Sequence, residues 1–129
     1  MKKHFIIICT LLIVVMTSCS KEEGYGGLAT IQGKVYGKDF NSHGALVSEG
    51  YVGDMKVYIS KHDNPNYFDK VDTSYDGSYK FEYLQKGTYD VWVFGDCDSC
   101  AWAQVFAIET VEITSKRETV EVDDLVITF

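Results

Sequence analysis

The 129-residue sequence predicts an all-β chain built as a seven-stranded antiparallel sandwich. Three observations predict it. Short runs alternate apolar with polar residues, turn residues separate those runs at sandwich-like spacing, and no long window after the N-terminal apolar segment carries a helical period.

The first run, Thr30 to Tyr36, sets Ile31, Gly33 and Val35 against Gln32 and Lys34. Residues 37–54, rich in Gly, Asn, Ser and His, form the longest stretch without period and are expected to be a loop. Met55, Val57 and Ile59 then alternate with Lys56, Tyr58 and Ser60, and a shorter run spans Phe68 to Ser74. Asp76-Gly77 signals a hairpin turn, because glycine accepts the positive φ such turns demand. Ser78 to Leu84 places Tyr79, Phe81 and Tyr83 on one face, and Gln85-Lys86-Gly87 marks a second turn. In Thr88 to Phe94, Tyr89, Val91 and Val93 share one face while Trp92 and Phe94 share the other. Ala101 to Ile113 is long enough for one bent strand. Its start is apolar on both faces, as burial on both sides or an exposed adhesive patch requires. Thr119 to Phe129 closes the chain: Val120 and Val122 are in phase, and Asp123-Asp124 shifts the phase to Leu125, Ile127 and Phe129, a place for a β-bulge.

Ahead of this domain, Lys2 and Lys3 precede an apolar run from Phe5 to Met16. About a dozen residues are too few to span a bilayer and fit the core of a secretory signal. Met16-Thr17-Ser18-Cys19 resembles a bacterial lipobox, which implies a signal peptide over residues 1–18 and lipidation of Cys19. Ser20-Lys21-Glu22-Glu23 resembles the signal that sends some lipoproteins to the outer face of the outer membrane. Gly24-Tyr25-Gly26-Gly27 is expected to complete a flexible tether over residues 19–28, leaving residues 29–129 as one domain. Loss of Lys2 and Lys3 makes the chain more acidic than its formal charge of −7, which disfavours nucleic acid as a partner. The membrane, through the lipid, is the expected partner, together with outer-membrane proteins or glycans. Nothing in the sequence sets the oligomeric state.

Val71 to Phe81, with its Thr73 and Asp76-Gly77-Ser78-Tyr79-Lys80-Phe81, followed by Leu84-Gln85-Lys86-Gly87-Thr88-Tyr89, resembles the carboxypeptidase regulatory-like family. Ile31 to Val35 is similar to that family's first strand. The resemblance covers residues 29–129 and implies a prealbumin-like (transthyretin-like, Ig-like) seven-stranded sandwich. It also implies structural roles for the motif: Asp76, Gly77 and Gly87 in turns, and Tyr79, Phe81, Leu84 and Tyr89 in the core. Such a motif speaks to fold rather than function.

Enzymes occur on this fold, but the residues they need are sparse. Purine-breakdown hydrolases use paired His and Arg, and ring-cleaving iron dioxygenases use two Tyr and two His. This chain offers His43, His62 and Arg117 after processing. No nucleophile–base set is visible, so a non-enzymatic module without cofactor is expected. Lys34 and Asp123 or Asp124 have chain positions suited to an isopeptide bond, yet no Glu is placed to shuttle the proton. No metal site is expected, since Cys97 and Cys100 lack the further ligands zinc requires. Exported cysteines meet an oxidising compartment, and Asp96 and Asp98 disfavour a thiolate, so Cys97 and Cys100 are expected to form a disulfide that closes a turn. A small redox or metal-handling lipoprotein is the alternative. Trp102 beside that turn, Trp92 and Tyr51 are the candidate binding aromatics for a sugar or a protein, the competing expectation being that a sandwich simply buries them.

Overall fold

The computed structural model describes residues 22–96 and 104–129. Nine strands run through them: β1 (Tyr25–Phe40), β2 (Leu46–Tyr51), β3 (Lys56–Lys61), β4 (Asp69–Asp72), β5 (Ser78–Leu84), β6 (Gly87–Asp96), β7 (Gln104–Ile113), β8 (Thr119–Glu121) and β9 (Leu125–Thr128). They form two packed sheets. One has the order β4-β3-β6-β7, and the other is built around β1. β5 and then β2 pair antiparallel along one edge of β1, while β8 and then β9 pair parallel along the other.

Alternation decides what faces inward. β1 buries Ala29, Ile31, Gly33, Val35 and Gly37 and leaves the residues between them partly exposed. Opposite, Val57 and Ile59 of β3 and Tyr89, Val91 and Val93 of β6 are fully buried. Leu125 and Ile127 of β9 complete the layer, together with Ile113 at the end of β7. Tyr79, Phe81 and Leu84 are buried here as well. Thr73 staples the strand ends: its hydroxyl donates to the Val52 carbonyl at 2.7 Å and accepts the Met55 N–H at 3.0 Å.

Two departures from strict period two have local causes. Ile31 pairs with Phe81 but Ala29 with Leu84, so two steps on β1 face three on β5. The extra residue is Tyr83, held at φ 61° and 64% exposed, which turns it away from the face expected to hold it with Tyr79 and Phe81. At the other edge, Gln32 to Val35 of β1 faces Glu121 to Leu125, again with one residue too many. This is the phase shift at Asp123-Asp124, and it splits the last run into β8 and β9.

Residues 37–54, expected to be a loop, instead extend β1 to Phe40 and supply β2. Asn41 closes the intervening turn, its Oδ1 accepting the N–H groups of His43 and Ala45 at 3.0 Å each. β2 is an edge strand exposed at nearly every residue, so no alternation betrays it. Tyr25 to Leu28, expected in the tether, are the first residues of β1. A turn is present at Asp76-Gly77, but it is not the expected hairpin: it carries the chain from β4, paired with β3, to β5, paired with β1 in the other sheet. Gly77 sits at φ 80°, its N–H donates to the Ser74 carbonyl at 2.8 Å, and a β-carbon there would lie 2.8 Å from the Val35 carbonyl oxygen.

Candidate binding cleft

The register of β3 on β6 pairs Val57 with Val93, Tyr58 with Trp92, Ile59 with Val91 and Ser60 with Asp90. The valine and isoleucine pairs point into the core, so the Tyr58–Trp92 and Ser60–Asp90 pairs stand on the opposite, outer face. β7 widens that face, because Phe94 pairs with Phe106, Trp92 with Ile108 and Asp90 with Thr110. Tyr58 is the hub. Its ring lies near-parallel to Trp92 (14°, centroids 5.9 Å apart) and meets Tyr67 and Phe94 edge-on at 4.9 and 5.7 Å. Phe94 meets Phe106 at 6.5 Å. These offset and edge-to-face arrangements follow the ring quadrupoles. Phe106 (62% exposed), Tyr67 and Phe94 stay open to solvent, so the patch is not the sandwich core but a second apolar surface outside it.

The patch floors an open cleft of about 540 Å³. Tyr58, Trp92 and Phe94 form its base, Phe106 and Ile108 one side, and Asn64, Pro65 and Tyr67 of the turn after β3 the other. The turn is fixed by polar contacts at one end. Asp90 is only 8% exposed, yet it accepts three hydrogen bonds. The Thr110 hydroxyl donates to Oδ1 at 2.7 Å, the Asp63 N–H donates to Oδ2 at 3.1 Å, and His62 Nδ1 lies 2.9 Å from Oδ1. Burial pushes the Asp90 carboxyl upward, but the bonds from His62, Thr110 and the Asp63 N–H outweigh it and hold the group below its usual range. His62 is held above its usual range, chiefly by the bond to Asp90 and against partial desolvation. Asp63 takes φ 58°, an unusual conformation for a non-glycine residue, secured by its N–H bond to Asp90.

Beneath the turn, Ser60 is fully buried and its Oγ has no hydrogen-bond partner among the described residues. Ser60, His62 and Asp90 do not form a nucleophilic relay. His62 Nδ1 faces Asp90, and Nε2 faces the Asp63 carboxylate at 3.3 Å, so neither ring nitrogen is free to take a proton from Ser60. Among the described residues no group of three or more His, Cys, Asp or Glu side chains is placed to hold a metal ion.

Of the three aromatics singled out from sequence, Trp92 lies in the cleft and Tyr51 does not. Tyr51 is on β2 in the other sheet, where its hydroxyl donates to Asp124 at 3.2 Å, its ring meets Tyr36 edge-on at 5.3 Å, and Lys34 stands 4.6 Å over it. The Asp124 hydrogen bond raises the Tyr51 phenol. The Lys34 ammonium is also 4.0 Å from the Asp76 carboxylate, engaged at the surface. Trp102, the Cys97–Cys100 pair and Cys19 lie outside the described residues. The sequence reading missed Ser60 and Asp90 as site residues, and it missed Phe106 and Ile108. For the latter two a signal existed in the two-faced apolar start of the strand that becomes β7.

No family model and no curated protein matches the chain. Among solved structures it is similar to the crystal structure of a provisionally assigned carbohydrate binding protein from Pseudomonas aeruginosa, with a TM-score of 0.50 and 14% identity over 82% of this chain and 91% of that one. At that identity the likeness speaks to the fold alone: the chain is all-β, two sheets packed as a sandwich.

Proposed function

We propose that the chain is a lipid-anchored, non-enzymatic binding module of the outer membrane, a prealbumin-like sandwich of the carboxypeptidase regulatory-like type, which receives a carbohydrate in the aromatic cleft. The observation that carries the reading is the exposed cluster around Tyr58 on the outer face of a sheet whose inner face already holds the core. Rings presented this way accept the C–H face of a pyranose with little loss of side-chain entropy. The carbohydrate assignment of the Pseudomonas aeruginosa neighbour agrees with it. The Met16-Thr17-Ser18-Cys19 motif supports the anchor, and the engagement of both His62 nitrogens by carboxylates supports a binding rather than a catalytic role. A Cys97–Cys100 disulfide belongs to the same proposal; titration of free thiols with and without reductant tests it.

Calorimetric titration of the full-length protein with neutral oligosaccharides tests the ligand. Phe106→Ala and Tyr67→Ala remove rings that are 62% and 48% exposed, which spares the core. Each loses about 0.5–1.5 kcal/mol of ring contact, a roughly two- to tenfold weaker affinity. Tyr51→Ala, on the other sheet, leaves binding unchanged. Equal binding by all three variants sinks the cleft assignment.

One observation favours a second reading, a protein partner in a surface complex. β7 is an edge strand whose Phe106 and Ile108 are both exposed. Capture of a defined outer-membrane protein from solubilised membranes, lost in Phe106→Ala, supports that occupant over a sugar.

A further inference from the structure

We infer that the cleft selects uncharged sugars, with Ser60 and Asp90 reading a pair of ligand hydroxyls; the inference rests on the carbohydrate reading above. Ser60 is one of the residues lining the cleft; it is fully buried, and its Oγ has no hydrogen-bond partner among the described residues. Buried hydroxyls are ordinarily satisfied, and one left without a partner destabilises the free protein. Its cross-strand neighbour is Asp90. That carboxylate takes two hydrogen bonds on Oδ1 and one on Oδ2, while ionised carboxylates accept about four, so an acceptor position remains on Oδ2. An unused donor and an unused acceptor therefore stand on adjacent strands, about 5 Å apart at their β-carbons. A pair of vicinal sugar hydroxyls, each both donor and acceptor, supplies the partner that each of these groups lacks. Contact with Ser60 requires a shift of the overlying turn, whose Asp63 is kept at φ 58° by one bond to Asp90.

Charge supplies the other half. Asp63 and Asp90 are the carboxylate residues lining the cleft, and no Lys or Arg joins them among the described residues. His62 is engaged by both of those carboxylates, and Lys70 stands 5.9 Å over the Tyr67 ring, outside the lining. A uronate or sulfated sugar would bring a like charge against a shielded carboxylate with no cation in the described lining to offset it. A neutral ring meets no such cost.

The test titrates the full-length protein with hexasaccharides of glucose, mannose and N-acetylglucosamine, each against its C6-carboxylate form. At least one neutral oligomer is expected to bind, with its carboxylated form at least tenfold weaker. Ser60→Ala is expected to weaken the neutral ligand about tenfold while its melting temperature holds or rises, because the substitution removes an unsatisfied buried hydroxyl. A purely structural Ser60 would move the two measurements in the same direction. Equal affinity for neutral and carboxylated forms, or wild-type affinity in Ser60→Ala, overturns this proposal alone. A fall in melting temperature in Ser60→Ala overturns it too. If no sugar binds, the carbohydrate reading fails and takes the proposal with it.

Discussion

The hydroxyl of Tyr89 ties Gly24, immediately ahead of β1, to the turn between β5 and β6, and Tyr89→Phe isolates that tie. The ring is fully buried and packs against Phe68, centroids 6.1 Å apart. Its oxygen accepts the Gly24 N–H at 2.8 Å and donates its proton to the Gln85 carbonyl at 2.8 Å, while the Gln85 N–H donates to the Gly24 carbonyl at 2.8 Å. Phenylalanine keeps the ring and its apolar contacts and deletes two of these three bonds. A net hydrogen bond contributes about 0.5–1.5 kcal/mol, and both released groups sit half-buried where water reaches them, so the expected loss is about 1–2 kcal/mol. For a domain near 100 residues that is a fall of about 5–15 °C in melting temperature. Urea titration followed by circular dichroism measures the loss, with an unchanged slope against denaturant because the area buried is unchanged. Amide exchange at Gly24 and Tyr25 is expected to quicken by about the same free energy. A loss below about 0.3 kcal/mol, or one reaching the ~3 kcal/mol typical of core truncation, refutes the reasoning.

Stability against pH is expected to peak between the ordinary carboxylate range and neutrality. The Asp90 contribution is present above about 3.9 and is lost as pH falls through its lowered value. The His62 contribution is full below 6.5 and is lost as pH rises through its raised value, so His62→Gln is expected to flatten the alkaline limb of a melting-temperature profile. Gly95→Ala places a β-carbon 2.8 Å from the Thr128 carbonyl oxygen and 2.9 Å from Ile127 Cβ, which costs about 1–3 kcal/mol in urea unfolding. Tyr83→Gly relieves the φ of 61° at a residue that is 64% exposed, so it is expected to be neutral or to stabilise by up to about 1 kcal/mol; a loss of that size contradicts the bulge assignment.

Where one face of a strand is buried, the fold was legible. Val57 and Ile59, or Tyr89, Val91 and Val93, alternate because a pleated strand presents successive side chains to opposite faces. The bulge at Asp123-Asp124 was legible for the same reason, as a visible shift of phase. β2 was not, because a strand exposed on both faces carries no contrast; only its pairing with the far half of β1 defines it. Tyr83 was misplaced because a single residue at positive φ resets the alternation without changing the composition. Gly24 to Gly27 matched a flexible linker in composition, and what orders that stretch is the Tyr89 hydroxyl and the edge of β5, distant partners that composition does not name.

The cleft was half legible, and the missing half is a matter of register. Trp92 and Phe94 were seen on the face of β6 opposite Tyr89, Val91 and Val93, and Tyr58 was seen out of phase with Val57 and Ile59 of β3. What the sequence does not state is that Tyr58 lies directly across from Trp92, or that Phe106 lies across from Phe94. A slip of one residue in either pairing would send the partner's aromatics into the core and bring its valines out. The buried registers Val57–Val93 and Val93–Ala107 therefore hold the aromatic surface together as firmly as they hold the core. The same coupling accounts for Asp90. A carboxylate in the middle of an apolar strand looks incidental in sequence, but register sets it between Ser60 and Thr110. There the His62 turn folds back over it and becomes one wall of the cleft. Core and cleft are thus two faces of one set of pairings, and a substitution that shifts the register of β6 is expected to abolish ligand binding before it unfolds the domain.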